Sequence, residues 1–234
     1  MRDLHQLLAD DTRGATAIFK DALELLQSMD DTAAIKQSAE KLYTQFPVMG
    51  LFVKLWGKIY DLQSAPEIQR LLKQARANLD TSFQRVITKA GSQLANDCYI
   101  ITISHSSYVR ELIIDNKEKI NSVYCLESTP KYEGKGMAEM LIKNGISASI
   151  VSDIDYGSAL TSTTNIIVGA DLISDHFFIN KAGTKELAES AVKLKKEFWI
   201  LGDELRFVSD YQPENIPETF EVIPIKEKFR VFCI

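Results

Sequence analysis

NIIVGADLISDHFFINKAGT, residues 165–184, opens with an apolar run that ends in a glycine and then meets a lone acid, Asp171. Nine residues later an amide and an amine, Asn180 and Lys181, stand side by side before another glycine. A run that is apolar nearly throughout is typical of a parallel strand that is buried on both faces. Open parallel sheets bind ligands beyond the carboxyl ends of their strands, so Asp171 follows a strand at the edge where a ligand would bind.

Similar short, β-rich runs recur from about residue 92 onward and alternate with helical patterns. This alternation predicts a doubly wound α/β domain with a mainly parallel sheet. The predicted strands cover residues 98–103, 122–126, 148–151, 165–168, 198–201 and 230–233, and the predicted helices cover residues 107–117, 133–144 and 183–196.

The first third of the chain carries apolar residues at helical spacing instead, within residues 22–29, 35–46 and 68–86. Pro66 stands just before the last stripe, where the start of a helix tolerates proline. Stripes of this kind are typical of helices that pack on each other or on a partner. We therefore predict a helical N-terminal domain over residues 1–92 and an α/β domain over residues 93–234.

The composition excludes several classes of protein. A formal net charge of -5 argues against direct, charge-driven binding of nucleic acid, which needs a basic face. Cys98, Cys125 and Cys233 form no metal-ligand cluster, and the first two lie in apolar runs that predict buried, reduced thiols. Because the N-terminus lacks the apolar segment of a secretion signal and no run has the length of a membrane span, we expect a cytoplasmic protein.

Hydroxyl side chains follow the first predicted strand, where Ser104, Ser106 and Ser107 surround His105 at the start of a helix. Hydroxyl groups and free backbone N–H groups at a helix N-terminus suit an anion such as a phosphate. Serine at this position is equally explained as a helix cap. A Ser–His–Asp hydrolase site with Asp171 is disfavoured, because the sequence has no G-x-S-x-G elbow.

Asp171 with Asn180 and Lys181 is the strongest candidate site. A partly desolvated carboxylate near a lysine can act as a general acid or base. The lysine suits a phosphate, and the amide suits a sugar hydroxyl. The alternative is a surface loop that leads into a helix capped near Thr184.

A second candidate lies near the N-terminus at Arg13, Gly14 and Ala15, where a guanidinium and bare backbone could contact a phosphate together. The alternative there is a plain helix N-terminus with an exposed arginine. Residues 133–136, EGKG, lack the third glycine of a dinucleotide-binding fingerprint, and the chain has no Walker lysine motif. We therefore expect no cofactor and no metal.

Three runs together, residues 123–146, 165–191 and 198–207, resemble a known family. The sequence is similar to the alpha, beta and delta regulatory subunits of eukaryotic initiation factor two-B. That family also contains methylthioribose-1-phosphate isomerase and archaeal ribose-1,5-bisphosphate isomerase. The similarity is clear over about residues 95–224 and extends to the N-terminal arginine–glycine–alanine. It implies a helical N-terminal domain, a Rossmann-like C-terminal domain and a dimer or an assembly of homologous subunits.

The resemblance also implies residue roles. The isomerases transfer protons with a cysteine after the first strand and an aspartate after the fourth, which correspond here to Ser104 and Asp171. Thr129 stands where the family has an arginine, and the loop through residues 174–176 is one residue short. The implied ligand-binding residues are Arg13, Gly14, Ala15, Ser106, Ser107, Asn180, Lys181 and Arg206, the last in place of a lysine.

The serine at position 104 is the most consequential departure. A cysteine thiol has a pKa of about 8.5, and a serine hydroxyl is far less acidic. We therefore predict a non-catalytic, regulatory-subunit-like protein that binds a sugar phosphate or a nucleotide. The first alternative is an aldose–ketose isomerase acting on a ribose 1-phosphate-type substrate, with Asp171 as proton donor. The second alternative is an interaction module whose pocket is vestigial.

Overall fold

The computed structural model describes residues 2–233, and five helices come first within them. They are α1 (Leu4–Leu8), α2 (Ala15–Gln27), α3 (Thr32–Gln45), α4 (Gly50–Tyr60) and α5 (Ala65–Gln93). The predicted apolar stripes fall on α2, α3 and α5 and share one core with α4. Helix α4 was not predicted from the sequence, although its segment GLFVKLWGKIY buries Leu51, Leu55 and Ile59 at helical spacing.

The rest of the chain forms a six-stranded parallel sheet with helices. The strands are β1 (Cys98–Thr102), β2 (Ile120–Leu126), β3 (Ala148–Val151), β4 (Asn165–Gly169), β7 (Glu197–Gly202) and β9 (Phe229–Cys233). Their order is β3-β2-β1-β4-β7-β9, and every neighbouring pair is parallel. The helices are α6 (Ser107–Asp115), α7 (Glu133–Lys143), α8 (Gly157–Ser162) and α9 (Thr184–Leu194). The predicted mixed α/β fold with a mainly parallel sheet is confirmed.

The strand order reverses between β1 and β4, since β2 and β3 lie on one side of this pair and β7 and β9 on the other. A crevice opens at such a reversal, beyond the carboxyl ends of the two central strands. Ser104 follows β1 there and Asp171 follows β4. The topology therefore brings the two residues predicted at the centre of the site to the same crevice.

A small antiparallel sheet covers this edge. It consists of β5 (Leu172–Ile173), β6 (Phe177–Lys181) and β8 (Phe220–Pro224), in the order β5-β6-β8. Asn180 and Lys181 end β6, and Asn180 is buried. The surface-loop alternative for these two residues is therefore wrong, because cross-strand pairing with β8 holds them in a strand.

Helix α5 packs against both parts of the molecule. Its first half contributes Ile68 and Leu72 to the helical core, and its last half contributes Val86 and Ala90 to the core of the parallel sheet. The domain division at residue 92 stays a prediction. Cys98 and Cys125 are buried as free thiols, as predicted. Among residues 2–233, no helix combines the length and the apolar character needed to cross a membrane.

Candidate functional site

A cavity of about 900 Å³ lies at the strand reversal, between the helical region and the carboxyl ends of β1 and β4. This volume is within the range of small-molecule binding sites. The structure brings all ten predicted site residues to its wall: Arg13, Gly14, Ala15, Ser104, Ser106, Ser107, Asp171, Asn180, Lys181 and Arg206.

Two helix N-termini meet at one end of this cavity. Gly14 precedes α2 and Ser106 precedes α6, and neither helix has a side-chain cap. The helices are linked by the hydroxyls of Thr16 and Ser107, which lie 3.2 Å apart. Ser106 fits because the neighbouring strand ends in glycine: a Cβ on Gly169 would lie 2.4 Å from the Ser106 Oγ. The helix-cap alternative fails for the Ser106 hydroxyl, which makes no capping hydrogen bond.

Arg13 is held beside these N-termini by two acids. Its Nε lies 2.6 Å from Asp10 Oδ2, and its Nη1 lies 3.0 Å from Asp21 Oδ2. Burial would raise the pKa of Asp10, but the hydrogen bonds from Arg13 outweigh burial and lower this pKa to about 2. The buried Nη2 of Arg13 has no hydrogen-bond partner among residues 2–233. The guanidinium is therefore fixed in place with one nitrogen still able to donate.

Asp171 also lines this cavity. Burial, helped by the charge of Glu133, raises the pKa of Asp171 to about 6 against the opposing charges of Lys181 and Arg206. A carboxyl group with this pKa changes its protonation state close to neutral pH. The arrangement could therefore give or take a proton or accept a ligand hydroxyl.

Asn180 and Lys181 are fixed by the junction of β6 and α9. Asn180 Nδ2 donates to Thr184 Oγ1 at 3.0 Å, and this hydroxyl donates to the Lys181 carbonyl at 2.6 Å. The Lys181 ammonium lies 3.0 Å from Glu133 Oε1 and 4.8 Å from the centre of the Phe220 ring. Lys181 is therefore already paired with an acid, which a bound anion would have to displace or tolerate.

Ser104 also contacts Glu133. Its hydroxyl donates to Glu133 Oε2 at 2.5 Å, and its backbone N–H donates to Ser128 Oγ at 2.7 Å. Glu133 was not predicted as a site residue from the sequence, where its segment EGKG indicated only an incomplete glycine-rich fingerprint. The available signal was an acid at the start of a helix that follows β2 on the same edge of the sheet.

Arg206 lines the cavity but directs its donors elsewhere. It is 2% exposed, and its Nη1 donates to Asp203 at 2.9 Å and to the Tyr108 hydroxyl at 3.2 Å. Its Nη2 donates to Thr16 Oγ1 at 2.7 Å. The charge of Arg206 is thus balanced by Asp203, and the residue positions Thr16 at the paired helix N-termini.

Two other predictions bear on the site. His105 keeps a buried Nε2 that has no partner within residues 2–233, and burial together with Arg110 lowers the pKa of His105. Because this nitrogen is unpaired, Ser106, His105 and Asp171 form no hydrogen-bonded triad within these residues, and the disfavoured hydrolase arrangement is not formed. Thr129 donates to Asp153 at 2.8 Å instead of lining the cavity.

Comparison with known proteins identifies the family of this chain. The initiation factor 2 subunit family matches residues 11–221. This chain belongs to that family. An eIF-2B subunit 2-like protein of Pyrococcus horikoshii is 30% identical over 205 residues, which are 83% of this chain and 71% of that protein. This family member is therefore similar to an eIF-2B subunit 2-like protein over most of its length.

Solved structures of other proteins show the same fold. The translation initiation factor eIF-2B of Pyrococcus horikoshii has a TM-score of 0.84 at 23% identity, over 94% of this chain and 90% of that one. The 5-methylthioribose 1-phosphate isomerase of Pyrococcus horikoshii has a TM-score of 0.68 at 16% identity, over 94% and 79%. The fold of this family member is thus shared by translation factors and by an isomerase.

Proposed function

We propose that this protein is a non-catalytic, regulatory-subunit-like member of its family that binds a phosphorylated small molecule in the cavity. The ligand class is a sugar phosphate or a nucleotide, and the protein works in the cytoplasm with a second copy or with homologous subunits. The observation that carries the proposal is the meeting of two uncapped helix N-termini, at Gly14 and Ser106, on one wall of the cavity.

The phosphate would bind at this wall. Backbone N–H groups at the first turn of a helix have no partner within the helix, and the helix dipole favours a negative charge there. Ser106 and Ser107 add hydroxyl donors, and Arg13 adds a guanidinium nitrogen with no partner. Thr16 is held beside them by Arg206. Donors that are fixed before the ligand arrives reduce the entropy lost on binding.

The absence of catalysis is proposed from Ser104. The residue that the resemblance assigns to proton transfer is a hydroxyl, and this hydroxyl already donates to Glu133 at 2.5 Å. A serine hydroxyl is far less acidic than the cysteine thiol that the resemblance places here, so it is a weaker group for removing a proton from carbon. Asp171 alone does not complete a pair of acid and base.

Assembly is proposed from a relative and from the surface. One solved structure with this fold, at a TM-score of 0.73 and 15% identity, is a tetrameric eIF2B-beta2-delta2 complex from C. thermophilum. In this chain the edge strand β3 carries Ile150, which is 45% exposed, and Ile154 follows at 95% exposed. Exposed apolar side chains beside an open strand edge are typical of contact surfaces. Sedimentation velocity measures the oligomeric state of the protein. A monomer at every protein concentration would contradict assembly with a second copy.

The binding proposal is tested by thermal unfolding against a panel of pentose phosphates and nucleoside monophosphates. A ligand that binds only the folded state adds about 2.7 kcal/mol at a hundredfold excess over its Kd. We expect a clear shift for at least one compound, and we expect Lys181→Ala to lose it. Lys185→Ala on the exposed face of α9 is the matched control. No shift for any compound would contradict the proposal, and a shift that survives unchanged in Lys181→Ala would show that the bound ligand does not contact Lys181.

The isomerase remains the second candidate because the pKa of Asp171 lies at about 6. A group with a pKa near the working pH is suited to proton transfer. Incubation with ribose 1-phosphate-type substrates, followed by NMR of the products, decides between the two candidates. Turnover by the protein that Asp171→Asn abolishes would overturn the non-catalytic proposal.

A further inference from the structure

Asp10 is a buried acid beside the cavity, and no role predicted from the sequence accounts for it. Its side chain is only 2% exposed. One carboxylate oxygen, Oδ2, accepts from Arg13 Nε at 2.6 Å and from Arg2 Nη1 at 2.6 Å. Against the effect of burial, the hydrogen bonds from Arg13 hold the pKa of Asp10 at about 2, so this carboxylate is ionised at neutral pH. A buried charge of this kind is stable only because it is paired and hydrogen-bonded.

The other carboxylate oxygen of Asp10 shapes the loop that precedes α2. Oδ1 accepts from the backbone N–H groups of Thr12 and Arg13, both at 3.2 Å, and from the Thr12 hydroxyl at 3.1 Å. Aspartate closes turns by bonding to backbone groups a few residues further on. Thr12 and Arg13 both line the cavity. Asp10 therefore holds Arg13 twice, at the backbone where the side chain begins and at the guanidinium where it ends.

Asp21 contacts the same guanidinium from outside this loop. It lies on α2, and its Oδ2 is 3.0 Å from Arg13 Nη1 and 3.8 Å from Arg2 Nε. Its side chain is 28% exposed, far more than that of Asp10. Two acids and two arginines thus form one cluster in which the charges balance. Asp21 contributes charge to this cluster, whereas Asp10 contributes charge and also fixes the loop.

We propose that Asp10 is a positioning residue for anion binding, which holds the loop and the Arg13 guanidinium so that the unpaired Nη2 of Arg13 can donate to a phosphate. The inference rests on the proposed function, in which the phosphate binds at the helix N-termini beside Arg13. Asp10 does not contact the ligand and acts through Arg13. An arginine side chain has many rotamers, so one that is held before the ligand arrives loses less entropy on binding.

Titration with ribose 5-phosphate and with AMP, followed by phosphorus NMR at fixed ionic strength, measures this role. Asp10→Asn should weaken binding by about tenfold or more, as expected for the loss of one hydrogen bond to a charged group. Asp11→Asn is the matched control, because it removes the same charge from the same loop at an exposed side chain that is paired with Lys131. Asp11→Asn should bind as the unmodified protein does, or more tightly, since a negative charge near the anion is lost.

A double-mutant cycle shows whether Asp10 acts through Arg13. Arg13→Met removes the guanidinium and should weaken binding at least as much as Asp10→Asn does. In the Arg13→Met protein, Asp10→Asn should have no further effect, because the group that Asp10 positions is gone. Urea unfolding establishes that each variant is folded at the titration temperature. If Asp10→Asn is not folded, Asp10→Glu, which moves the carboxylate by one methylene, replaces it in the cycle with the same expected result.

The outcomes separate the inference from the proposed function. If Asp10→Asn binds as tightly as Asp11→Asn, the positioning role is wrong and the phosphate site stands. The role is also wrong if Arg13→Met binds normally, or if Asp10→Asn weakens binding equally with and without the guanidinium, which would be an effect on the loop alone. If neither probe binds to the unmodified protein, the proposed function is overturned and this inference with it. A loss confined to proteins that retain Arg13 supports the role.

Discussion

Replacing Asp171 by asparagine should stabilise the protein at neutral pH and leave its stability unchanged in acid. The pKa of this carboxyl group rises from 3.8 to about 6 on folding, chiefly because burial penalises the charged form. Each pKa unit corresponds to about 1.4 kcal/mol, so the ionised Asp171 costs the folded state about 3 kcal/mol above pH 6. Since the side chain faces the cavity and is partly exposed, we expect about 2–3 kcal/mol.

The sign of the pH dependence follows from the raised pKa. Below the pKa of the unfolded chain, Asp171 is protonated in both states and costs nothing. As the pH rises from about 4 through about 6, the unfolded chain releases this proton first, and the folded state loses stability relative to it. Asparagine cannot ionise, so Asp171→Asn avoids this loss.

Urea unfolding of both proteins between pH 4 and pH 8 measures the effect. Asp171→Asn should be more stable by about 2–3 kcal/mol at pH 7.5, which is roughly 2–4 °C in melting temperature per kcal/mol for a chain of this size. The advantage should close as the pH falls toward 4. Asp175→Asn, an exposed position in the same hairpin, is the control. An advantage that is constant with pH, or a loss of stability at pH 7.5, would refute the reasoning.

Further predictions concern Gly134 and Arg206, which support the cavity wall, and Ser104. Gly134→Ala should destabilise the fold by several kcal/mol in urea unfolding, because its Cβ would overlap a backbone carbonyl at the end of β2. Gly57→Ala, at an exposed position of α4, should stabilise by about 0.5–1 kcal/mol. Arg206→Met should cost about 3–5 kcal/mol in the same assay, because it leaves a buried aspartate unpaired. In Ser104→Cys the adjacent Glu133 carboxylate should hold the thiol pKa above about 8.5, so alkylation by iodoacetamide should be slow at pH 7.5, and fast alkylation would contradict this reading.

The parallel sheet was predictable because its central strands are buried on both faces and therefore read as continuous apolar runs. The observed ends differ from the predicted ones by one or two residues, as at Ile120, where pairing with Cys98 extends β2 beyond its predicted start. The small antiparallel sheet was not predictable. Its strand β5 has two residues, and its strand β8 comes from a segment far along the chain. Such pairing is set by tertiary contacts rather than by a local pattern.

The position of the candidate site at the carboxyl ends of the strands was predictable for the same reason as the strands themselves. Once β1 and β4 are recognised, topology places Ser104 and Asp171 at one crevice. Which charges are paired was not predictable, because pairing depends on side chains that meet only in the folded chain. The ion pairs of Glu133 with Lys181 and of Asp203 with Arg206 are both of this kind. Residue type alone made each cation appear free to bind a phosphate.

These pairings bear on what the cavity can do. An aldose–ketose conversion needs one group that takes a proton from carbon and another that gives it back. The Ser104 hydroxyl donates to Glu133, and the carboxylate that accepts from it is held by Lys181 and by the N-terminus of α7. A carboxylate held in this way is placed to accept hydroxyl groups rather than to abstract a proton.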